Sequence, residues 1–335
     1  MTEVAIISSF GVTTPPEDYG GLERIAYDLA VGLSKYYNVT LIASKGSKKG
    51  NYKLIEAIDP FYGREDVAYE KYKRYLSKFD VIIDHTHYFY AYRLKQRYPN
   101  IKVIKTVHDL LPWQTPPPLD SFDRLVAVSR FHSEFLSVRY SLPVDFIYNG
   151  VFSKPSRNCP HNGDYLLFLS RIDPMKGAHV FLRLSRLGYK LVIAGEDSPY
   201  RGIKASYRDY IIYESNRRGV KYYGRVSEEQ KDELLCNASA VVVPLQPPYW
   251  EVFGIWMVEA LQRGTMVITT DRGSPKEILG DQGIVVKRNL GKTVDDFMNG
   301  RLTVGTPEGR VNRSQMFSVD NMVQKYRDLI ETLIS

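Results

Sequence analysis

The segment YWEVFGIWMVEALQRGTMVITT, residues 249–270, contains a helix pattern followed at once by a strand pattern. We predict a helix from about Phe253 to Arg263 that ends at Gly264, because glycine is the most favourable residue just beyond a helix C-terminus. The β-rich run 266–270 begins two residues later. A short apolar strand directly behind a helix is the unit from which parallel α/β sheets are built.

The same alternation of strands and helices continues along the chain. The first half contains strand-like runs at 4–9, 38–44, 81–84, 102–108, 124–129 and 144–149. The second half contains them at 165–170, 190–195, 240–245, 266–270 and 284–287. Continuous Val/Ile/Leu strands that alternate with helices indicate parallel sheets covered on both faces. We therefore expect an α/β fold of two doubly wound, Rossmann-like domains facing a central cleft, with ligands at the carboxyl ends of the strands.

The domain boundary is predicted in FSKPSRNCPHNGD, which is rich in Pro, Asn and Ser and poor in large apolar residues. A chain of 335 residues is also long for a single hydrophobic core. The predicted divisions are an N-terminal domain at 1–151, a linker at 152–163 and a C-terminal domain at 164–317. The amphipathic pattern at 318–335 predicts a final helix that packs back toward the N-terminal domain.

Composition and charge restrict the class of protein. The net charge of +7 is mild, and no nucleic-acid-binding spacing occurs, so we expect no nucleic-acid partner. The N-terminus lacks the basic start of a signal peptide, and no run reaches the ~20 apolar residues of a bilayer span. Cys159 and Cys236 are far apart in sequence, from which we predict neither a disulfide framework nor a Cys-rich metal site. The expected location is the cytoplasm.

Two common phosphate-binding loops are missing. No G-x-G-x-x-G follows the first strand, and no G-x-x-x-x-G-K-[ST] occurs anywhere. The Lys-rich run at 44–53 has neither spacing and is interpreted as a solvated loop. If the protein binds phosphates, it must do so by another arrangement.

Two acids stand out in the opening segment because they bracket seven uncharged residues. Glu251 follows Pro247-Pro248 and is predicted to lie in a loop, whereas Glu259 falls within the helix. Carboxylates accept hydrogen bonds from hydroxyl groups, so two acids on one short element suit a polyol ligand. The structural alternative is that Glu251 caps the helix and Glu259 is a partly exposed surface acid.

The Glu-x7-Glu spacing, with Phe-Gly after the first acid, resembles the signature of the family-4 retaining glycosyltransferases, which have the GT-B fold. Further segments match that family in the same order along nearly the whole chain. They are Tyr19-Gly-Gly-Leu-Glu-Arg24, Thr106-Val-His-Asp109, Tyr148-Asn-Gly-Val151 and Ser170-Arg-Ile-Asp-Pro-Met-Lys-Gly177.

The resemblance implies a role for each matching residue. Arg171 and Lys176 would neutralise the diphosphate of a nucleotide-sugar, Glu251 would hold the donor sugar, and Glu259 the ribose hydroxyls. His108, at a strand end, would contact the transferring sugar. The implied catalytic residues are thus His108, Arg171, Lys176 and Glu251. The implied donor-binding residues are Gly20, Gly21, Arg225, Val226, Phe253, Gly254, Ile255 and Glu259.

Alternative interpretations exist for several residues. Gly20 and Gly21 also suit an ordinary turn before a helix, and His108 also suits a structural histidine. His85 and His87, close to Asp84, form a pattern that is also typical of metal ligands. The resemblance implies no metal, and we expect none. Glu277 is attributed to a capping box with Ser274.

The sequence departs from the family pattern in three places. Ser170 replaces a glycine before the arginine, Met266 replaces a proline, and Gln262-Arg263 replaces a small pair. None of these changes removes a charged contact, but they weaken any inference about the donor.

The expected function is a metal-independent retaining hexosyltransferase that uses a nucleotide-diphosphate sugar, with no cofactor besides that donor. A glycan, lipid-linked or small-molecule acceptor would bind the N-terminal domain. The basic aromatic stretch 62–98, together with Trp113, suggests peripheral contact with the inner membrane face, although a solvated amphipathic helix has the same pattern. Alternative functions are a nucleotide-sugar epimerase, a sugar phosphorylase, or a non-catalytic nucleotide-sugar or glycan-binding protein.

Overall fold

The structure is a computed structural model that describes residues 1–17, 20–112, 118–152, 159–160, 163–196 and 205–335. The chain divides into two compact units. The first unit consists of Met1–Phe152 and Phe317–Ser335, and the second of Ser153–Met316. The final segment of the chain therefore belongs to the same unit as the N-terminus.

The first unit contains a parallel seven-stranded sheet with the order β3-β2-β1-β4-β5-β6-β7. Its strands are β1 (Glu3–Ile7), β2 (Asn38–Ala43), β3 (Lys53–Glu56), β4 (Val81–Asp84), β5 (Lys102–Thr106), β6 (Arg124–Ala127) and β7 (Asp145–Phe146). The α-helices of this unit are α1 (Gly21–Leu33), α2 (Glu65–Tyr72), α3 (Tyr92–Arg97), α4 (Arg130–Tyr140) and α12 (Val319–Ile334).

Burial on both faces explains why apolar and polar residues do not alternate along these strands. Val4, Ala5, Ile6 and Ile7 of β1 are all fully buried, as expected for a parallel strand with both faces covered. A cluster built around Phe10, Tyr72 and Leu76 forms one layer of the core. The core therefore lies against the sheet.

The second unit contains a parallel six-stranded sheet with the order β10-β9-β8-β11-β12-β13. Its strands are β8 (Tyr165–Leu169), β9 (Lys190–Ala194), β10 (Lys221–Tyr222), β11 (Ala238–Val243), β12 (Met266–Thr270) and β13 (Ile284–Val286). Its described α-helices are α5 (Ala178–Phe181), α6 (Ala205–Arg217), α7 (Glu228–Cys236), α8 (Ile255–Gln262), α9 (Pro275–Leu279), α10 (Leu290–Met298) and α11 (Pro307–Ser314).

Both strand orders reverse direction at one point, between β1 and β4 in the first sheet and between β8 and β11 in the second. In open parallel sheets, ligands bind beyond the carboxyl ends of the strands on either side of such a reversal. The segments that follow β1, β4, β8 and β11 are therefore the places where functional side chains are expected.

The predicted α/β architecture is confirmed, and the predicted helix and strand of the opening segment are α8 and β12. Strands β3 and β10 were not predicted. They are short edge strands whose sequences, KLIE and KY, contain little apolar pattern.

Two predictions about local structure are wrong. Cys159 and Cys236 form a disulfide across 77 residues, because the fold brings the start of the second unit beside the end of α7. Ser274 does not form the predicted capping box with Glu277. Its hydroxyl instead donates to the carbonyl of Phe253 and ties α9 to the loop before α8.

Candidate active site

The loop after β8 brings a lysine into the interior of the second unit. Asp173 accepts a hydrogen bond from the Met175 amide at 2.9 Å and starts a short 3-10 turn at Pro174–Lys176. Gly177 then takes the left-handed conformation, with φ of 81°. A Cβ atom there would lie 2.1 Å from the Pro244 carbonyl oxygen, so this close approach requires glycine.

Lys176 and Glu251 form a buried ion pair. The Lys176 ammonium lies 2.5 Å from the Glu251 carboxylate, and each side chain is 6% exposed. Tyr249 donates its hydroxyl to Glu251 at 2.8 Å and accepts from Lys176 at 2.9 Å. The Trp256 indole N–H donates to the same carboxylate at 3.1 Å. Four side chains thus form one connected polar cluster.

The charges of this cluster depend on one another. Burial lowers the pKa of Lys176, and the Glu251 carboxylate opposes that effect. Burial would by itself raise the pKa of Glu251, but the Lys176 ammonium and the hydrogen bonds from Trp256 and Tyr249 outweigh it, so this pKa is lowered. Each group is therefore the main counter-charge of the other.

Arg171 lies in the same loop, two residues beyond the end of β8. Its positive charge helps to lower the pKa of Lys176, which shows that the two cations are close. Ser170, which precedes Arg171, donates its backbone N–H to the Ala194 carbonyl. Ser170 stands where the family pattern has a glycine. Its backbone forms a regular hydrogen bond at the end of β8.

Glu251 is held through its backbone as well as its side chain. Its N–H donates to the Arg272 carbonyl at 3.0 Å, and its own carbonyl accepts from the Ser274 N–H at 2.9 Å. The following Phe253 side chain is buried, and Gly254 immediately precedes α8, which begins at Ile255. Residues 253–255 therefore have only their backbone and the N-terminal end of α8 available for a ligand, apart from the half-buried Ile255 side chain.

Glu259, on the second turn of α8, forms an ion pair with Lys231 of α7 at 2.6 Å. The two side chains are 13% and 16% exposed, so neither is a simple surface charge. Arg263, at the end of the same helix, pairs with the buried Asp232 of α7 at 2.7 Å. The departure from the family pattern at Arg263 thus serves to join two helices.

Residues Gly224, Arg225 and Val226 form the turn after β10. The Gly224 carbonyl accepts from the Gly195 N–H at 2.8 Å, which attaches this turn to the end of β9. The Arg225 side chain is exposed and that of Val226 is half-buried.

In the first unit, Gly20 precedes α1 and Gly21 is its first residue. Tyr19, the first residue of the matching glycine segment, lies outside the described residues. Glu23, in the first turn of α1, is 4% exposed and accepts a hydrogen bond from the Ser9 hydroxyl. Burial raises the pKa of Glu23, while the bond from Ser9 opposes this.

A second polar cluster lies at the ends of β4 and β5. His87 pairs with Asp109 at 2.8 Å, and both side chains are partly exposed. The buried Glu65 carboxylate accepts the backbone N–H groups of His87 and Tyr88, which holds the loop after β4. Burial alone would lower the pKa of His87, but Asp109, Glu65 and Glu23 together outweigh burial, so this pKa is raised.

His85 and His108 contact each other rather than a common ion. Nδ1 of His85 and Nε2 of His108 are 2.9 Å apart, and Asp84 pairs with the buried Lys105 at 3.0 Å. The three residues considered as metal ligands, Asp84, His85 and His87, therefore each have a side-chain partner. Within the described ranges, no group of three His, Cys, Asp or Glu side chains could hold a metal ion.

The structure brings Arg171, Lys176 and Glu251 together and places Glu259 on the adjoining helix. Gly20, Gly21 and His108 belong to the other unit. Sequence reasoning missed Tyr249 and Trp256, although both lie inside the opening segment. It also missed Lys231, whose only signal was a lysine in an otherwise acidic helix, EEQKDELLC.

Two family profiles match this chain over adjoining segments. The profile described as Glycosyltransferase Family 4 matches residues 19–152, and that described as Glycosyl transferases group 1 matches residues 152–303. The O-antigen chain mannosyltransferase B of Escherichia coli is 24% identical over 194 residues. That match covers 51% of this chain and 49% of the relative, so the chain spans about half of the length of that protein.

Solved structures with the same fold cover almost the whole chain. Sucrose-phosphate synthase from Thermosynechococcus elongatus has a TM-score of 0.81 and 18% identity, covering 100% of this chain and 99% of its own. Anabaena HepE in complex with UDP and glucose has a TM-score of 0.77 and 16% identity, with 99% and 100% covered. With both profiles matched in order and the two parallel sheets of the GT-B fold in place, the chain belongs to the family-4 glycosyltransferases.

Proposed function

We propose that this protein transfers a hexose from a nucleotide-diphosphate sugar to a hydroxyl-bearing acceptor, with retention at the anomeric carbon. The observation that carries the proposal is the buried Lys176–Glu251 pair beside Arg171, at the carboxyl ends of β8 and β11. A nucleotide diphosphate is negatively charged, and the two cations Arg171 and Lys176 can neutralise that charge.

In the proposed mechanism, the protein stabilises the departing diphosphate rather than supplying a nucleophile. Arg171 would contact the phosphate oxygens with its forked guanidinium, and Lys176 would add a point charge. Cations aimed at a leaving group that gains negative charge lower the barrier of the transfer step. Glu251 would accept hydrogen bonds from the sugar hydroxyls, and His108 would contact the same sugar.

We assign the remaining donor contacts to the other residues that the family resemblance implies. Glu259 would hold the ribose hydroxyls, and the 224–226 turn would contact the base. Gly20, Gly21 and the backbone of 253–255 would supply N–H groups, which are the natural partners of phosphate and hydroxyl oxygens. HepE was solved with UDP and glucose, which makes UDP-glucose the first donor to test.

The proposal is tested first by binding and then by turnover. A true donor should raise the melting temperature of the protein, because ligands that bind only the native state stabilise it. The panel should contain UDP-sugars and mannose-bearing nucleotide-sugars, since one relative is named as a mannosyltransferase. Failure of every nucleotide-sugar to bind would contradict the proposal.

Substitutions then test the phosphate contacts. Arg171→Ala and Lys176→Ala should each lower turnover by about 10²–10³-fold, as for the loss of one stabilising donor in other active sites. Arg186→Ala is a matched control, because this arginine is exposed on the same unit. Near wild-type turnover in both site variants would disprove the assignment.

Product analysis separates the proposed reaction from its alternatives. NMR of the product should show the donor's anomeric configuration. An epimerase would need no acceptor, a phosphorylase would consume phosphate, and a binding protein would leave the donor intact. Activity should persist in EDTA, because we propose that the two cations take the place of a metal.

We further propose that the acceptor side of the enzyme contacts anionic lipid at the cytoplasmic face of a membrane. Exposed arginines lie over tyrosine rings in the 62–98 stretch, with Arg74 4.7 Å from the Tyr75 ring and Arg93 5.3 Å from the Tyr90 ring. Trp113 lies outside the described residues. No helix in the described part of the chain is long and apolar enough to cross a bilayer.

Liposome flotation tests this contact. The protein should float with vesicles that contain anionic lipid and not with neutral ones, because basic residues are attracted to a negative surface. Arg74→Glu with Arg93→Glu should abolish flotation, whereas Arg186→Glu should not. Equal recovery of all proteins with neutral and anionic vesicles would contradict the proposal.

A further inference from the structure

Two imidazole rings meet at the carboxyl ends of β4 and β5. His85 is the residue immediately after β4, and its backbone N–H donates to the Ile7 carbonyl at 2.9 Å. Its ring lies 5.2 Å from the His108 ring between centroids, and the bond between them joins Nδ1 of His85 to Nε2 of His108. One proton lies in this hydrogen bond. The ring that carries it determines which nitrogen of His108 is protonated and can donate to a ligand.

The surroundings of His85 indicate which of the two rings carries that proton. His85 is fully buried, and its Nε2 atom has no hydrogen-bond partner. A proton on that Nε2 would be a buried N–H without an acceptor, which is rarer and more costly than a bare nitrogen. The proton of neutral His85 therefore lies on Nδ1, which donates to Nε2 of His108.

Neither ring carries a charge that would change this assignment. Burial and the nearby Lys105 ammonium lower the pKa of His85 to about 3. Burial and the neighbouring His85, Lys105, His87 and His132 also lower the pKa of His108. Both imidazoles are neutral at physiological pH, so each has exactly one N–H group.

The proton of His108 is consequently confined to its other nitrogen. Nε2 of His108 already accepts a hydrogen bond, so neutral His108 must be protonated on Nδ1. In the described part of the chain, Nδ1 of His108 makes no protein hydrogen bond, and the side chain is only partly buried. Among the described residues, this N–H group therefore has no acceptor and is available to donate a hydrogen bond to a ligand.

We propose that His85 is a positioning residue that holds His108 in the Nδ1–H tautomer, so that His108 acts as a hydrogen-bond donor to an oxygen atom of the bound substrate. The proposal deepens the proposed function, because it takes its substrate from that function. In this tautomer His108 cannot accept a proton at Nδ1, so it does not serve as a general base there. A hydroxyl oxygen of the donor sugar is the kind of acceptor atom it fits.

The tautomer can be measured without any activity. Long-range ¹H–¹⁵N correlation spectra distinguish Nδ1–H from Nε2–H in protein labelled with ¹⁵N-histidine, and the His108→Asn variant identifies the His108 signals. The expected wild-type result is Nδ1–H for His108. An Nε2–H signal for His108 in the wild type would overturn the proposal.

Two substitutions of His85 test whether this residue imposes the tautomer of His108. His85→Leu removes the donor, and His108 should then move toward Nε2–H, the form that free imidazole side chains prefer. His85→Asn can place an amide N–H where the Nδ1–H lay, and it should restore Nδ1–H. Retention of Nδ1–H in His85→Leu would overturn the role of His85.

The kinetic effect separates this proposal from the proposed function. His85→Leu should lower kcat about tenfold, the value of one neutral hydrogen bond, with a smaller change in KM, and His85→Asn should recover most of it. A tautomer change without any change in kcat would support the control by His85 and contradict the sugar contact of His108. A loss of kcat with an unchanged tautomer would overturn the proposal.

Discussion

Among single residues, Lys176 and Glu251 form a buried ion pair that is costly to desolvate, and our proposal gives it a chemical use. Two charges that are 94% enclosed are expensive to desolvate, and they are tolerated here because Tyr249 and Trp256 complete their hydrogen bonds. A diphosphate near Lys176 would offer that ammonium a second anion. Under the proposed function, the diphosphate would therefore compete with Glu251 for Lys176.

Breaking this pair should destabilise the protein strongly. Lys176→Met leaves the Glu251 carboxylate buried without its main counter-charge, which typically costs about 3–5 kcal/mol of unfolding free energy. Lys176→Met with Glu251→Gln should cost less than the single change, because no uncompensated charge remains. Urea unfolding followed by the fluorescence of Trp250 and Trp256 measures both. A single variant within about 1 kcal/mol of wild type would show that the pair is solvated, as exposed pairs are.

Asp28 in α1 gives a pH-dependent prediction with a definite sign. Burial raises the pKa of this carboxyl to about 6, and Arg24, 3.7 Å away, only partly opposes it. The folded state therefore holds this proton more tightly than the unfolded chain, and stability from this group falls as pH rises from about 4 to about 6.

Asp28→Asn should consequently stabilise the protein at pH 7.5 by up to about 3 kcal/mol, the equivalent of two pKa units. The gain should shrink as the pH is lowered through 6 toward 4, where the aspartate is itself protonated. Unfolding midpoints across that pH series test the effect. A gain that is independent of pH would show that the charge of Asp28 is not its cause.

At the scale of elements, helices α1 and α12 of the first unit pack unusually closely at Gly32. A Cβ atom on Gly32 would lie 2.2 Å from a methyl carbon of the buried Val323. Glycine within a helix usually costs stability, by about 1 kcal/mol relative to alanine. Here the close approach of the C-terminal helix explains its presence.

Gly32→Ala should therefore destabilise the first unit rather than stabilise it. Overpacking typically costs about 1–3 kcal/mol, which exceeds the gain in helix propensity. Adding Val323→Ala should recover part of the loss, because it makes room for the new methyl group. Thermal unfolding of the two single variants and the double variant measures this coupling. Strictly additive effects would contradict the contact.

At the scale of the whole molecule, the disulfide closes a long loop. Cys159 and Cys236 are 77 residues apart, and their bond attaches the start of the second unit to the end of α7. Closing a loop of this length restricts the unfolded chain and is worth about 4.5 kcal/mol in the loop-entropy treatment. Such bonds are rare in reducing compartments, so their state in the cell bears on the proposed cytoplasmic location.

Cys159→Ala should lower the unfolding free energy by up to about 4.5 kcal/mol. Reduction of the wild type should give the same loss, whereas the reductant should leave Cys159→Ala unchanged. Alkylation of freshly lysed cells, followed by mass spectrometry, reports the pairing in place. Two free thiols in unreduced purified protein would disprove the bond.

The class of fold could be predicted from the amino-acid sequence, because burial on both faces of a strand requires a continuous apolar run that is visible without a structure. VAII in β1, VII in β4 and AVVV in β11 are such runs. The spacing of Glu251 and Glu259 led to the predicted donor site, which stays a prediction. The short edge strands β3 and β10 escaped prediction because edge strands need less apolar surface.

The side chains that act on one another could be identified only once the fold had brought them together. Lys176 and Glu251 are 75 residues apart and become an ion pair because β8 and β11 are neighbours in the sheet. His85 and His108 meet for the same reason at β4 and β5, and the two cysteines pair although their sequence distance suggested otherwise. Such contacts depend on the order of strands and the enclosure of each group, and no local pattern in a sequence records either of them.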